Sequence, residues 1–531
     1  MMTRREMLGL LALAARPAFG QGVSSRGVRP QPRGKPSGRP FQARFTDVAK
    51  DAGLTAPVIY GPAETKRYII EVVGCGVACF DYDNDGWLDL LVLSGTRLED
   101  APAGTTNRLY KNNRDGTFTD VTGKAGLKHD AVRYGAGCTW IDYDRDGRLD
   151  LFVATYLSTT LDKLPKPGEN TDCRWKGVPV NCGPRGLPTG FVQLFHNNGD
   201  GTFTDVSEKS GVASAARSYP MTTVAADYDN DGWPDIYVAC DSTPSWLFRN
   251  QRDGTFREEA LERGAALSED GVEQAGMGVA IGDYDLDGSL DIFKTHFADD
   301  TNVLYRNDGK GYFDDLTIRA GIGVETRFVG WGAGIADLDN DGLPDVFMVT
   351  GSVYPEVERT LPAYPFRTPR IVFRNLGDGR FEELIEEAGS GVAAAHTSRG
   401  CAFGDFDNDG DVDVLVMNMN EPPSLLRNDV SSGGHWLKVL LTGVTSNRSA
   451  IGARVTARYG TRIQAQEVTA QSSFYSANDR RLHFGLGGAT TADLTIRWPN
   501  GATDRIGAVE ADQLVVIREG SGIVRKQRFG R

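Results

Sequence analysis

The stretch Asp81-Tyr82-Asp83-Asn84-Asp85-Gly86-Trp87-Leu88-Asp89 packs four carboxylates into nine residues, and the chain repeats it five more times. The acids sit at positions 1, 3, 5 and 9 of each copy. They are Asp81, Asp83, Asp85 and Asp89, then Asp142, Asp144, Asp146 and Asp150, then Asp227, Asp229, Asp231 and Asp235. The remaining copies supply Asp283, Asp285, Asp287 and Asp291, then Asp337, Asp339, Asp341 and Asp345, then Asp405, Asp407, Asp409 and Asp413. Position 6 is always glycine, which permits a sharp turn after the third acid at low steric cost. Such a turn converges the carboxylates on one point and offers an oxygen cage to a hard cation, calcium before magnesium. An Asp-Gly hairpin needs one acid, not four. The expected cofactor is therefore Ca²⁺, up to six ions.

The cations also explain the charge. The formal net charge is −13 over 531 residues, and six divalent ions would bring it to −1. The acidity reflects a metal requirement and says little about partners.

Each loop lies inside a longer unit. A small-residue strand such as 74–80 precedes it, and an apolar strand such as 90–93 follows. Downstream comes a hairpin signature such as Leu109-Tyr110-Lys111-Asn112 and Asp115-Gly116-Thr117-Phe118. Four short strands per unit predict the blades of an all-β propeller, with six blades counted and a seventh left open in an insertion. The sixth unit lacks its last strand after Asn428, whereas Phe45-Thr46-Asp47-Val48 supplies one at the other end, so the N-terminal segment should close the ring. Two Pro-rich insertions, 157–190 and 351–370, carry aromatic residues and are places where either a ligand site or a simple cover is expected.

The propeller is expected over 42–430. The first twenty residues read as a cleaved export signal of twin-arginine type, with the pair Arg4-Arg5 before a short apolar run. Residues 21–41 read as a disordered basic linker, 434–519 as a small β-sandwich, and 520–531 as a frayed basic tail. Cys173 and Cys182 are expected to pair, as suits an exported, periplasmic or secreted chain. Cys75, Cys79, Cys138 and Cys401 are expected to be buried in apolar strands. No stretch is long enough for a transmembrane anchor. Residues 21–40 lack the aromatic residues that would point to nucleic acid.

The Asp loops resemble FG-GAP/VCBS repeats, the units of integrin-α-type propellers. That resemblance implies Ca²⁺ on the acids at positions 1, 3, 5 and 9. The motifs Gly452-Ala453-Arg454-Val455, Ser473-Phe474-Tyr475-Ser476, Leu482-His483-Phe484-Gly485 and Ile496-Arg497-Trp498-Pro499 resemble the ASPIC/UnbV domain. Together they make the chain similar to the cartilage acidic protein family. Ala477-Asn478 departs from that pattern and weakens any contact inferred for its loop.

No H-E-x-x-H, nucleophile elbow, Walker loop or dinucleotide fingerprint occurs. A binding or adhesion module for a glycan or an extracytoplasmic protein is the favoured reading. A carbohydrate-active enzyme of the polysaccharide lyase kind and an accessory role in a periplasmic or biosynthetic complex are the alternatives. Strand-end alignment gathers Tyr156, Asp241, Lys294, His296 and Asn418 as a candidate ligand rim; the competing reading is that Lys294 and His296 satisfy local polar groups.

Overall fold

The computed structural model describes residues 22–529 apart from 101, 103–105, 126, 128–135 and 170–172. The expected export signal lies outside the described residues. Six four-stranded antiparallel sheets follow one another as blades. Blade 1 comprises Val77–Phe80, Asp89–Val92, Arg108–Asn112 and Phe118–Asp120, from the axis outward. Blades 2 to 5 repeat this order, with innermost strands Cys138–Ile141, Pro220–Ala226, Val279–Gly282 and Gly330–Ala336. Blade 6 runs Ser398–Gly404, Asp413–Asn418, Ser424–Asn428 and then Phe45–Asp47. The last pairing sets Phe45 opposite Asn428 and Asp47 opposite Leu426, so the N-terminal strand closes the ring as expected.

Small residues in the innermost strands follow from crowding at the axis. A Cβ on Gly278 would lie 1.9 Å from the Trp331 carbonyl oxygen of the next blade, and one on Gly137 would lie 2.3 Å from that of Met221. Between blades, apolar side chains form separate clusters; Ile141, Phe152, Ile236 and Phe248 join blades 2 and 3.

In five blades an asparagine stitches the seam to the preceding blade, whereas Asn197 Nδ2 of blade 2 donates to Leu149 O of its own loop at 3.0 Å. Asn307 Nδ2 donates to Leu290 O of its own loop at 2.9 Å and to Tyr228 O of the preceding blade at 2.8 Å. Asn250, Asn375, Asn428 and Asn112 do the same toward Tyr143, Tyr284, Leu338 and Phe406. Each buried amide thus satisfies carbonyls that the turns leave unpaired.

The chain after Asn428 forms two further four-stranded sheets. One contains Leu482–Gly487, His435–Thr442, Gln513–Arg518 and Gly522–Gln527; the other contains Arg462–Glu467, Arg454–Tyr459, Thr491–Arg497 and Thr503–Glu510. Leu437, Val439, Val455, Leu494, Ile496 and Val515 fill the space between them, as a sandwich requires. The expected frayed tail is instead an edge strand: Gly520 and Gly522 adopt positive φ to turn the chain back, and Ile523 packs on the core.

The linker reading also needs correction. Residues 22–41 hold no regular structure but lie along blades 3 to 5. Arg26 pairs with Asp300 at 2.6 Å, Val28 N donates to Asp299 O at 2.7 Å, and Arg33 pairs with Glu383 at 2.8 Å. Two of the arginines that suggested a solvated tether, Arg26 and Arg33, find acids on the blades, and Arg39 donates to the Leu376 carbonyl.

Cys173 and Cys182 form a disulfide. Cys75, Cys79, Cys240 and Cys401 are buried, whereas Cys138, the first residue of its strand, is exposed. No helix among the described residues is long and apolar enough to cross a membrane.

Replacing Asn307 with Ala strands two buried carbonyls and should cost about 3 kcal/mol. Denaturant unfolding of Asn307→Ala should show that loss with unchanged far-ultraviolet circular dichroism; a loss below about 0.5 kcal/mol would deny the seam its role.

Candidate metal centres and the domain that caps them

Each acidic loop is the turn between the first and second strands of its blade, so all six open on one face. The backbone geometry recurs. Position 4 adopts positive φ in every copy, from 56° at Asn408 to 61° at Arg145 and Leu286, and the position-6 glycines follow with φ between 83° and 108°. Asparagine tolerates that left-handed conformation better than most residues, and it fills position 4 in four copies. The glycine signal was legible in the sequence, while the strain carried by Arg145 and Leu286 was not.

The acids shape the turn before any ion arrives. The Oδ2 of position 1 accepts the position-6 N–H in all six loops, at 2.6–3.2 Å. Position 5 accepts the N–H of position 7, as Asp287 does from Ser289 at 2.8 Å. Position 9 accepts from position 2 through one oxygen and from the seam asparagine, or Asn197 in blade 2, through the other, the latter at 2.8 Å throughout. The metal loop and the seam therefore share one carboxylate.

Carboxylate oxygens of Asp81, Asp83 and Asp85 lie within 4.8 Å of one another, as do those of Asp227, Asp229 and Asp235 and of Asp283, Asp285 and Asp291. Several buried oxygens have no partner: Oδ1 of Asp142, Asp283, Asp285 and Asp407. Arg306 binds Oδ2 of Asp285 at 2.6 Å and leaves Oδ1 facing the cluster. Burial, reinforced by neighbouring carboxylates, pushes Asp142, Asp150 and Asp283 up to about 7 and Asp235, Asp291, Asp345 and Asp413 well above the usual carboxylate range. In blade 1, burial is outweighed by Arg114 and Lys111, and Asp85 falls to about 2. Unpartnered hard oxygens at this spacing fit a divalent metal ion.

The C-terminal sandwich sits on this face, which sequence reasoning missed. Arg497 pairs with Asp227, and Lys438 Nζ stands 3.4 Å from Oδ2 of Asp405. Ala465 N donates to Oδ2 of Asp283 at 2.8 Å. Gly485 lies so close to Asp337 that a Cβ would be 1.7 Å from its Oδ2. Arg454, Arg462 and Arg481 donate to the loop carbonyls of Gly288, Asp341 and Asp405. Sandwich donors therefore engage the loops of blades 3 to 6, at acids of their clusters as well as at backbone carbonyls.

The hairpin around Ser473-Phe474-Tyr475-Ser476 enters the channel. Ser473 exchanges backbone hydrogen bonds with Val279 of blade 4, and Ala477 does so with Val77 and Cys79 of blade 1. Phe474 is fully buried with its ring 4.9 Å from that of Trp331. Gly76 makes room for it: a Cβ there would meet Tyr475 O at 1.9 Å. The atypical Asn478 still makes contacts, accepting from Phe403 N at 3.1 Å and donating to Ser472 at 2.7 Å.

The opposite face carries the two insertions. They reach each other from blades 2 and 5, with Trp175 packed against Tyr364 at 4.8 Å, and so roof the axis. The candidate rim residues lie beneath, all buried. Tyr156 donates to Asp241 at 2.6 Å. Lys294 donates to Ser245 at 3.1 Å, and His296 Nδ1 meets Thr301 O at 2.9 Å. Asn418 binds Arg370, Ser398 and Ser424 within its own layer. Only Tyr156 and Asp241 are brought into contact, and none of the five stands on an open rim.

A family model described as FG-GAP-like repeat matches residues 81–153, 186–238, 227–294 and 367–416, and one described as ASPIC and UnbV matches 443–524. This is an FG-GAP-like repeat protein with a C-terminal ASPIC/UnbV domain. It is distantly homologous to cartilage acidic protein 1, at 25% identity over 447 residues to the Mus musculus protein and 24% over 445 residues to the Homo sapiens protein. These alignments cover 80% of this chain but only 61% and 60% of the relatives. Among solved structures, an exotype rhamnogalacturonan lyase is 16% identical with TM-score 0.30, covering 88% of this chain and 76% of that one. A Trypanosoma rangeli sialidase is 10% identical with TM-score 0.34, covering 73% and 58%. At such scores the likeness assigns neither activity nor substrate.

Carboxylates whose folded pKa is raised cost stability once ionised and return it as they take up protons. In chelator, the melting temperature should therefore rise as pH falls from about 8 toward about 5, through the value near 7 of Asp142, Asp150 and Asp283. In excess divalent cation the rise should vanish. A chelated protein that loses stability steadily over that window would contradict the repulsion.

Proposed function

We propose that this protein is an exported, calcium-loaded propeller that acts as a binding or adhesion module outside the cytoplasm rather than as a catalyst. The observation that carries this reading is the set of converging loop acids with unpartnered buried oxygens, hard donors suited to Ca²⁺. The disulfide favours an oxidising compartment, periplasmic or secreted. With the metal-loop face under the C-terminal domain, the insertion-bearing face is the surface left for a glycan or protein partner.

If each loop binds near ~0.2 mM, about 2 mM calcium stabilises the fold by roughly 1.4 kcal/mol per site. Six independent sites give about 8 kcal/mol, comparable to the whole stability of a typical domain. Chelation should therefore lower the melting temperature sharply, and Asp285→Ala should remove one bound calcium while sparing the others. A melting temperature indifferent to chelator would refute calcium's role.

The partner is tested by a glycan and polysaccharide binding screen in calcium and in chelator, with analysis of every product. Calcium-dependent retention of an unaltered ligand is the expected result. Shortened or unsaturated products would replace this reading with a carbohydrate-active enzyme.

A further inference from the structure

The residue before the seam asparagine is Lys111, Arg249, Arg306, Arg374 and Arg427 in five blades, and the residue before Asn197 in blade 2 is His196. In blades 1, 3 and 4 that cation reaches the acids of its own loop, as Arg249 does to Asp229 and Arg306 to Asp285, both at 2.6 Å. Blade 2 presents an imidazole at the same place. Its Nδ1 is shielded from solvent and has no hydrogen-bond partner. It stands 3.2 Å from Oδ1 of Asp150 and 3.5 Å from Oδ2 of Asp144.

A second departure lies in the same loop. Position 7 of the other copies is Trp87, Trp233, Ser289, Leu343 or Asp411, whereas blade 2 has Arg148. Its guanidinium binds Oδ2 of Asp146 through Nε at 2.7 Å and also through Nη2. The position-5 acid is thereby held through that oxygen by its own neighbour. Two sets of candidate ligand atoms overlap at Asp144, each clustered within 4.8 Å: Asp142, Asp144 and Asp150, and Asp144, Asp146 and His196. Asp142 is 4% exposed and its Oδ1 has no partner, so an unsatisfied buried oxygen completes the set.

We propose that blade 2 is a first-row transition-metal site, with zinc as the preferred ion, held by Asp142, Asp144, Asp150 and the Nδ1 of His196. The inference goes beyond the calcium reading of the other loops. Nitrogen is a poor ligand for calcium, which takes six to eight oxygens, but imidazole with carboxylates suits zinc, cobalt and nickel. Zinc holds nitrogen and oxygen ligands at about 2.0–2.2 Å, so two ligands on a tetrahedral ion stand about 3.3–3.5 Å apart. The imidazole-to-carboxylate separations of 3.2 and 3.5 Å are already near that spacing. The imidazole also offers a nitrogen donor where its sibling blades place a permanent cation.

The test is a Co²⁺ and Zn²⁺ titration of the disulfide-intact protein in saturating calcium, compared with His196→Lys. Lysine reproduces the pattern of blade 1 and should leave the fold intact. The native protein should take up one Co²⁺ with the visible absorption of a nitrogen-ligated ion, displaced stoichiometrically by Zn²⁺. His196→Lys should weaken that uptake at least tenfold, and Asp142→Asn should do likewise with His196 in place. Uptake unchanged in His196→Lys would place the ion elsewhere, and no uptake above calcium would overturn the proposal. The calcium reading fails separately, through a melting temperature insensitive to chelator.

Discussion

Carboxylates that cannot escape one another govern this molecule. Ionised oxygens about 4–5 Å apart repel by roughly 3–4 kcal/mol per pair at an effective dielectric of about 20. The same carboxylates hold the turns through backbone N–H groups, so they cannot swing away without losing the loop. A cation or a proton is the remaining remedy. The position-9 acid adds a mechanical link, because its second oxygen takes the N–H of the asparagine whose amide crosses to the preceding blade.

That coupling explains why the repeat sits where it does. Loops scattered around the barrel would be local decorations; gathered on one face, they become a floor of carbonyls and acids at regular spacing. The sandwich domain reads that floor with arginine, lysine and backbone donors, and sends one hairpin down the axis. Small residues in the innermost strands serve both the tight ring and the hairpin, as Gly278 and Gly76 illustrate. The face bearing the two insertions is left for other contacts.

Features with a local cause were legible in the sequence. Asp-x-Asp-x-Asp-Gly spacing gave six loops, the missing last strand of blade 6 matched Phe45–Asp47, and Cys173 pairs with Cys182. Features set by distant packing were not. Nothing near Arg497 announces Asp227, and nothing near Arg26 announces Asp300. The tail looked frayed because its basic residues face solvent, while Ile523 packs on the core and Phe529 stacks on Trp436. Lys294 and Asn418 looked functional because a polar residue at a strand end is ambiguous until its neighbours are known; Ser245, Arg370 and Ser424 are those neighbours. His196 stood in the repeat alignment as a plain exception to five basic residues, and its meaning emerged only with the positions of Asp144 and Asp150.

The central claim is that the acidic loops organise the face on which the C-terminal domain rests, and that a bound cation holds them in place. Hydrogen–deuterium exchange with calcium and with chelator tests it most directly, followed at the six loops and at the channel hairpin 470–478. The account predicts that removing the cation exposes the loop amides and releases the hairpin together, while strand amides of the sandwich core keep their protection. Loops that exchange alike in both conditions, or a hairpin that stays protected while the loops open, would contradict it.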